Sequence, residues 1–386
     1  MGHRRAGGNV TDQQRLRELR ESVQDASDDL RGRALAIDRA PGEMAEHLES
    51  PAYMIIRRYT TPPAHRQTTA VSGPAWADED VSCLASVVRG VELARGDAGA
   101  ILACPGPSLA GLLVRLIGDA SQQKRFFGRV ADGRTWSFFG MTEPGRGNDA
   151  TALETRLERD GDGWLLFGAK RYIGNGARGD IGVVFARTGP SPLAIRAVLI
   201  EPDSAAWKAR ALDMTGLRGA YVSELTFDGV RVNDDMLLGA HLPPTRRGMW
   251  GAMQVFNWMR TEVAAAALGT ALALIDYVAE HRAGAPGVAG ARRRAEALRS
   301  MVYQAAARID RQPERGYPAS VAKLTATKFA VEVSHWACRA LGPAALVEHP
   351  FLEKWRRDVC SFEFMEGTGN IQRLHVAGGY RAGATA

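Results

Sequence analysis

Cysteine is scarce in this chain: Cys83, Cys104, Cys338 and Cys360 are the four present, far apart and with no CxxC pair. That scarcity argues against a disulfide framework and a zinc site, and it fits a reducing compartment. Long apolar runs are lacking too, the longest falling well short of the roughly 20 residues that a membrane span needs. The basic start Met1-Gly2-His3-Arg4-Arg5 is followed by no apolar signal core. Neither an internal repeat nor a low-complexity segment is present. Together these absences predict a cytoplasmic protein with no membrane association.

What is there is ordinary globular material. The 386 residues, 45% hydrophobic and 24% charged, can bury a large core arranged in two or three domains or layers. The net charge is +6, and Arg greatly outnumbers Lys. Such a balance suits nucleic acid, a phosphorylated ligand or an acidic protein partner, and it equally suits Arg-rich codon usage. The clusters Arg292-Arg293-Arg294 and Arg356-Arg357 lie in helical patterns, where charge runs are usually solvated faces.

Hydrophobic period divides the chain into three. Residues 11–40 open on a Thr-Asp cap signal and carry a broken helical stripe of Leu16, Leu19, Val23 and Leu30. Residues 51–76, with Pro62-Pro63 and Ser72-Gly73-Pro74, read as loop, and helix returns over 78–95, 108–117 and 120–130. From 136 the period changes to strands at 136–141, 152–159, 164–172, 181–187, 195–201 and 223–227, with a weaker one at 230–232. Asp160-Gly161-Asp162-Gly163 is a hairpin signal, so the middle block reads as antiparallel β. Helical spacing resumes over 248–282, 291–311, 319–341 and 351–366, the pattern of a four-helix bundle. The fold class is therefore α+β: an N-terminal helical domain (1–135), a middle antiparallel β domain (136–245) and a C-terminal four-helix bundle (246–386).

One C-terminal stretch carries chemistry. In residues 362–373 (FEFMEGTGNIQR), Glu366 stands among Phe362, Phe364 and Met365, followed by Gly367, Thr368 and Asn370. A carboxylate in such company is poorly solvated, which raises its pKa and sharpens it as a base. The same acid at the end of an apolar helix also fits a solvated cap residue. Alone, the stretch leaves both readings open.

Three separated stretches resemble the acyl-CoA dehydrogenase family. Residues 139–149 (FGMTEPGRGND) are similar to that family's LTEPGAGSD loop, and 168–176 (GAKRYIGNG) to its GxKxWITNG strand. Residues 365–373 (MEGTGNIQR) resemble its YEGTxEIQR segment, and weaker matches lie at 216–219, 227–239 and 350–358. The resemblance covers about residues 78–380. It implies an FAD enzyme, homodimeric or homotetrameric, that dehydrogenates a saturated acyl thioester and passes electrons to an electron-transferring flavoprotein or a similar acceptor. It also implies roles. Phe139, Met141, Thr142, Tyr172, Ile173 and Gly174 would run along the flavin, with Thr368 and Asn370 beside it. Asn148, Asn257, Arg260 and Gly367 would meet substrate.

Glu366 matches the family's α-proton acceptor. The resemblance implies that a flavin ribityl hydroxyl and the Glu366 N–H polarise the thioester carbonyl, stabilising enolate character. Hydride would leave the β-carbon for flavin N5. Some members carry the base just before the arginine of the first bundle helix; that position is Met259 here, which leaves Glu366. Other departures are Gly174 for a threonine near flavin N5 and Asn148 for a serine. The segment that reaches a neighbouring subunit's flavin pyrophosphate is also irregular: the family's ERxxFG reads Glu280-His281-Arg282-Ala283-Gly284-Ala285. There His281, Arg282 and, from the QxxGG segment, Arg339 would supply charge. The divergent N-terminal third predicts a specialised substrate. With a basic surface, an acyl group on an acidic carrier protein is as good a fit as acyl-CoA, and would place the enzyme in secondary metabolism such as polyketide assembly. Two alternatives remain. An oxidase or monooxygenase on the same fold is disfavoured by the retained glutamate. A nucleic-acid-binding relative is disfavoured because the basic C-terminal region of such relatives is missing here.

Overall fold

The computed structural model describes residues 12–66, 76, 80–202 and 205–381. The expected cap at Thr11, most of the loop at 67–76 and the start of the helix expected at 78 lie outside them.

The N-terminal third is helical. The stretch expected as one helix is two, α1 (Asp12–Glu21) and α2 (Gln24–Arg39), and Leu19, Val23 and Leu30 are buried as the stripe required. Pro51–Thr60 forms a helix, α3, where the sequence reading placed loop. Ser50 caps it by accepting from Tyr53 N, and Pro51 occupies the first turn, where its missing N–H costs nothing. The Pro62-Pro63 signal marks this helix's end and says nothing against its existence. Next come α4 (Cys83–Ala103), α5 (Ser108–Ile117) and α6 (Ala120–Val130), the last opened by a reciprocal capping box between Asp119 and Gln122.

Among the described residues seven strands follow: β1 (Trp136–Gly140), β2 (Arg156–Asp160), β3 (Gly163–Ile173), β4 (Gly179–Arg187), β5 (Ile195–Ile200), β6 (Trp207–Ala211) and β7 (Ser223–Val232). The order is β1-β4-β2-β3-β7-β6, with β5 on β4. The expectation of a purely antiparallel sheet is corrected, because β1 and β2 both run parallel to β4. β6 escaped the sequence reading because WKARA is a largely exposed edge segment with no apolar alternation. The runs at 223–227 and 230–232 are one strand, kinked at Gly229 (φ 80°) opposite a register shift at Leu166/Phe167.

The C-terminal helices longer than one turn are α7 (Met249–His281), α8 (Val288–Arg311), α9 (Tyr317–Leu341), α10 (Pro350–Ser361) and α11 (Gly369–Arg381). The four expected helices are present as α7 to α10, the last ending at Ser361 and not 366; α11 follows them, and α4 enters the bundle. Val87, Val91, Ala94 and Ala98 of α4 share one core with Leu268, Ala271, Phe329 and Val333. The alanine-rich α7 is apolar on nearly every face, so it needs neighbours all round. Its small residues let backbones close in, and a Cβ on Gly269 would stand 2.3 Å from the Val91 carbonyl oxygen. Among the described residues, the segment around α7 is long and apolar enough to cross a membrane, with a mean hydropathy of 1.5. However, 78% of that window is buried inside the protein, so the core accounts for its character.

A buried ionic knot fixes the α4–α10 junction. Asp97 leaves helical geometry inside α4, and its carboxylate caps the restarted helix by accepting from Ala100 N at 2.8 Å. Lys354 of α10 donates to Asp97 Oδ2 at 2.7 Å and to Asp358 Oδ2 at 2.6 Å, while Asp358 Oδ1 accepts from Leu217 N at 2.6 Å. The knot holds α4, α10 and the 213–217 loop beside one large cleft.

Candidate active site

That cleft, about 1610 Å³, is walled by α4, α7, the loop after β1, the turn after β3 and the turn between α10 and α11. It gathers Phe139, Met141, Thr142, Asn148, Tyr172, Ile173, Gly174, Arg260, Glu366, Gly367 and Thr368, which the sequence spreads over 230 residues.

The loop after β1 is held from beneath by a buried pair that the sequence reading missed. Glu143 accepts from Lys170 Nζ at 2.9 Å, Thr155 N at 2.8 Å and Glu154 N at 2.6 Å. Lys170 is fully buried and also donates to the Met141 carbonyl at 3.1 Å. Burial pushes the Glu143 carboxyl up, but Lys170 and the amide donors outweigh it and hold it below its ordinary value. A lysine set in the apolar and aromatic run of β3 was the available signal. With Glu143 so engaged, Thr142 is left to the cleft: its N–H and hydroxyl have no partner among the described residues.

Across from it the chain turns at Tyr172 (φ 62°) and Asn175 (φ 57°), both in the left-handed region that non-glycine residues seldom adopt. The Tyr172 ring is 58% exposed at the cleft wall. Asn175 is tied down instead, donating to Leu102 O at 3.2 Å and accepting from Arg178 Nη2 at 2.6 Å. Gly174 leaves open space, a Cβ there meeting nothing nearer than Ala220 O at 3.7 Å.

The ambiguity at the C-terminal stretch resolves between two glutamates. Glu363 takes the cap, its Oε1 accepting from Gly369 N at 2.7 Å at the start of α11. Glu366 faces the cleft, and its carboxylate has no hydrogen-bond or ion-pair partner among the described residues. Its backbone is strained (φ 53°) and pinned by its own carbonyl, which accepts from Gln372 Nε2 at 2.9 Å and Arg260 Nε at 3.3 Å. Lys323 completes the clamp through Glu363 O at 3.2 Å and the Gly367 carbonyl. Burial raises the Glu366 carboxyl to about 7, against smaller opposing pulls from Lys323 and Arg260. His375, also in the cleft, is pushed down to about 4 by burial and by Arg260, so it is neutral near pH 7. Phe364, expected to help desolvate Glu366, is instead 72% exposed.

Other expected site residues fall differently. Thr368 and Asn148 bridge two walls, the hydroxyl donating to Asn148 Oδ1 at 3.3 Å. Met259 lines the cleft and offers no base. Asn257, expected to meet substrate, is not among the residues that line the cleft. It is buried, donates to Pro313 O at 2.9 Å and accepts from Arg260 Nη1 at 2.9 Å, so it positions Arg260. Asn370 is exposed and paired with Arg373 outside the cleft. His281, Arg282 and Arg339 also lie away from it, at the far end of α7 and α9. There His281 stacks on Tyr277, and Arg282 donates to the Ala340 carbonyl. Their expected role concerned a neighbouring copy.

The cleft fits a flavin ring at its Thr142–Tyr172 end. It offers an orphaned N–H and hydroxyl for a polar ring edge, an exposed aromatic face for stacking, and room at Gly174 for close approach.

Comparison with known proteins places the chain among relatives. Residues 138–230 match the model of the acyl-CoA dehydrogenase middle domain, and residues 246–380 that of the C-terminal domain. The mitochondrial short-chain specific acyl-CoA dehydrogenase of Bos taurus is 32% identical over 306 residues, covering 74% of this chain and 73% of that one. The butyryl-CoA dehydrogenase structure from Megasphaera elsdenii superposes with a TM-score of 0.81 at 24% identity, covering 97% of this chain and 100% of its own. The prolyl acyl carrier protein oxidase AnaB superposes with a TM-score of 0.80 at 22% identity, over 97% of this chain and 99% of its own.

Proposed function

The chain belongs to the acyl-CoA dehydrogenase family of FAD-dependent oxidoreductases acting on CH–CH bonds, and we propose that it dehydrogenates a saturated acyl thioester with Glu366 as the α-proton acceptor. One observation carries this reading: an unpaired carboxylate, raised to about 7 by burial, in a cleft whose opposite wall fits a flavin. FAD, when bound, supplies the two-electron acceptor for the β-hydride.

The residues divide the remaining work. The Glu366 N–H has no partner among the described residues, so it is free to donate to the thioester carbonyl as negative charge develops on that oxygen. The α-proton passes to the Glu366 carboxylate. Gln372, Arg260 and Lys323 hold the strained turn, so the carboxylate and the N–H stay together without reorganising. Asn257 fixes Arg260 for that purpose. Thr142, Met141, Phe139, Tyr172, Ile173 and Gly174 form the flavin wall. His281, Arg282 and Arg339 are proposed to reach the flavin of a second subunit, in a homodimer or homotetramer. Electrons leave to an electron-transferring flavoprotein or a similar acceptor.

The thioester is carried by CoA or by an acyl carrier protein, and the second option follows the basic surface. Measurable affinity for apo-carrier supports the carrier version; turnover of acyl-CoA with no carrier affinity removes it. Stoichiometric peroxide during turnover would replace dehydrogenase by oxidase.

Two measurements test the site. Substrate-driven bleaching of the flavin band should rise with pH and reach half its maximum near pH 7, because the base must be ionised and burial has raised it there. A profile flat from pH 5 to 9 would contradict a glutamate base. Thr142→Val removes one hydroxyl and should weaken FAD binding about 3- to 10-fold, as fits one lost hydrogen bond, with the pH profile unmoved. Unchanged FAD affinity would take Thr142 out of the flavin wall.

A further inference from the structure

The cleft holds a second carboxylate that this chemistry does not use. Glu262 stands on α7 three residues beyond Met259, and Met259, Glu262, Val263 and Ala266 line the cleft from one helical face. The facing wall is α4, which brings Ser86, Arg89 and Gly90. Gly90 leaves space for the acid, since a Cβ there would stand 3.0 Å from Glu262 Oε2. Ser86, the Trp258 indole and Arg89 all favour the ionised form, yet burial outweighs them and raises the carboxyl to about 7. The Glu262 Oε1 atom is sealed from solvent and has no hydrogen-bond partner among the described residues.

A leucine at this position would lie beside Met259 and Ala266 on the helix with no polar atom to satisfy. An acceptor atom left unpaired and out of water destabilises the fold unless a ligand supplies the donor. The position is also informative. Arg260, two residues earlier, holds the carbonyl of Glu366, so Glu262 belongs to the same cleft but not to the clamp around the base. A plain alkyl chain would bury this carboxylate further with nothing in return.

We propose that Glu262 accepts a hydrogen bond from an N–H or O–H group carried on the acyl chain beyond its α- and β-carbons. The substrate is then the thioester of a hydroxy- or amino-substituted acid. This rests on the acyl-thioester reading above and narrows it to a substrate class. A site built around a hydrogen-bond acceptor discriminates strongly against an analogue lacking the donor, because the buried acceptor is then left unpaired.

The test uses the flavin-loaded enzyme and pantetheine thioesters of straight-chain acids of four to six carbons, with and without a terminal hydroxyl or ammonium group. Anaerobic bleaching and equilibrium binding are measured for the wild type, Glu262→Gln and Glu262→Leu. The wild type should prefer a donor-bearing thioester over its alkyl match by at least about tenfold in KM. Glu262→Leu should erase that preference while still bleaching with the alkyl thioester. Glu262→Gln keeps an acceptor and should retain preference for the hydroxyl but lose it for the ammonium, while the wild type's ranking of the two probes indicates the natural donor; the Gln variant also stands alone if Glu262→Leu does not fold. Bleaching by alkyl thioesters with no donor preference, or a preference surviving in Glu262→Leu, overturns the role of Glu262 and leaves the dehydrogenase intact. Absence of bleaching by every thioester overturns both.

Discussion

Glu366→Gln should yield a protein that still carries its flavin but is no longer bleached by substrate, with reduction slowed by about 10²- to 10⁴-fold, the usual contribution of a positioned base. The isosteric amide keeps the backbone N–H and the strained turn, so thioester binding should survive. Stability provides the internal control. The wild-type carboxyl is raised by burial from an ordinary 4.5 to about 7, so the folded state resists an ionisation that the unfolded state undergoes freely. That penalty is absent below pH 4.5, grows between 4.5 and 7, and is constant above. The variant should therefore be more stable than the wild type above pH 7, by on the order of 1–3 kcal/mol, and equal to it near pH 4.5. Normal bleaching in a folded Glu366→Gln protein would move the base elsewhere, and Glu262 is another carboxylate that lines the cleft.

Lys354→Met should be the most damaging single change to the fold. Lys354 is 1% exposed and neutralises Asp97 and Asp358, which are both fully buried. Removing one partner of a buried ion pair costs about 3–5 kcal/mol, because the charge left behind has neither water nor counter-ion. Here two carboxylates would face each other, and the kink of α4 and the loop at Leu217 depend on them. Burial already raises Asp358 to about 6 despite Lys354, so acid should soften the defect by protonating the orphaned pair. Urea denaturation at pH 7.5 and pH 5.5 reads both effects: a large loss at the higher pH and a smaller one at the lower. A loss below about 1 kcal/mol at pH 7.5 would show that water enters the knot. Adding Asp97→Asn and Asp358→Asn to Lys354→Met should recover part of the stability, since no uncompensated charge then remains.

The sequence by itself determined the family, the α–β–α order and the three stretches that meet at the cleft. Those features are local: caps, turn glycines, hydrophobic period and contiguous motifs survive as strings. It also nominated Glu366 and removed Met259 as a rival. What it left open was which glutamate does what. Glu363 and Glu366 lie three residues apart in the same apolar stretch, and only the turn between α10 and α11 gives Gly369 to one and the cleft to the other. Glu143 looked like part of a flavin loop until Lys170, 27 residues away, was seen to hold it beneath that loop. Asn257 passed for a substrate contact because helical spacing places it near Arg260 but does not say which way its amide turns. The entry of α4 into the bundle was equally invisible, since an all-round apolar helix such as α7 announces that it has neighbours without naming them. The tertiary structure decided these points because ionisation, pairing and burial are properties of surroundings, and surroundings here are assembled from residues more than 200 positions apart.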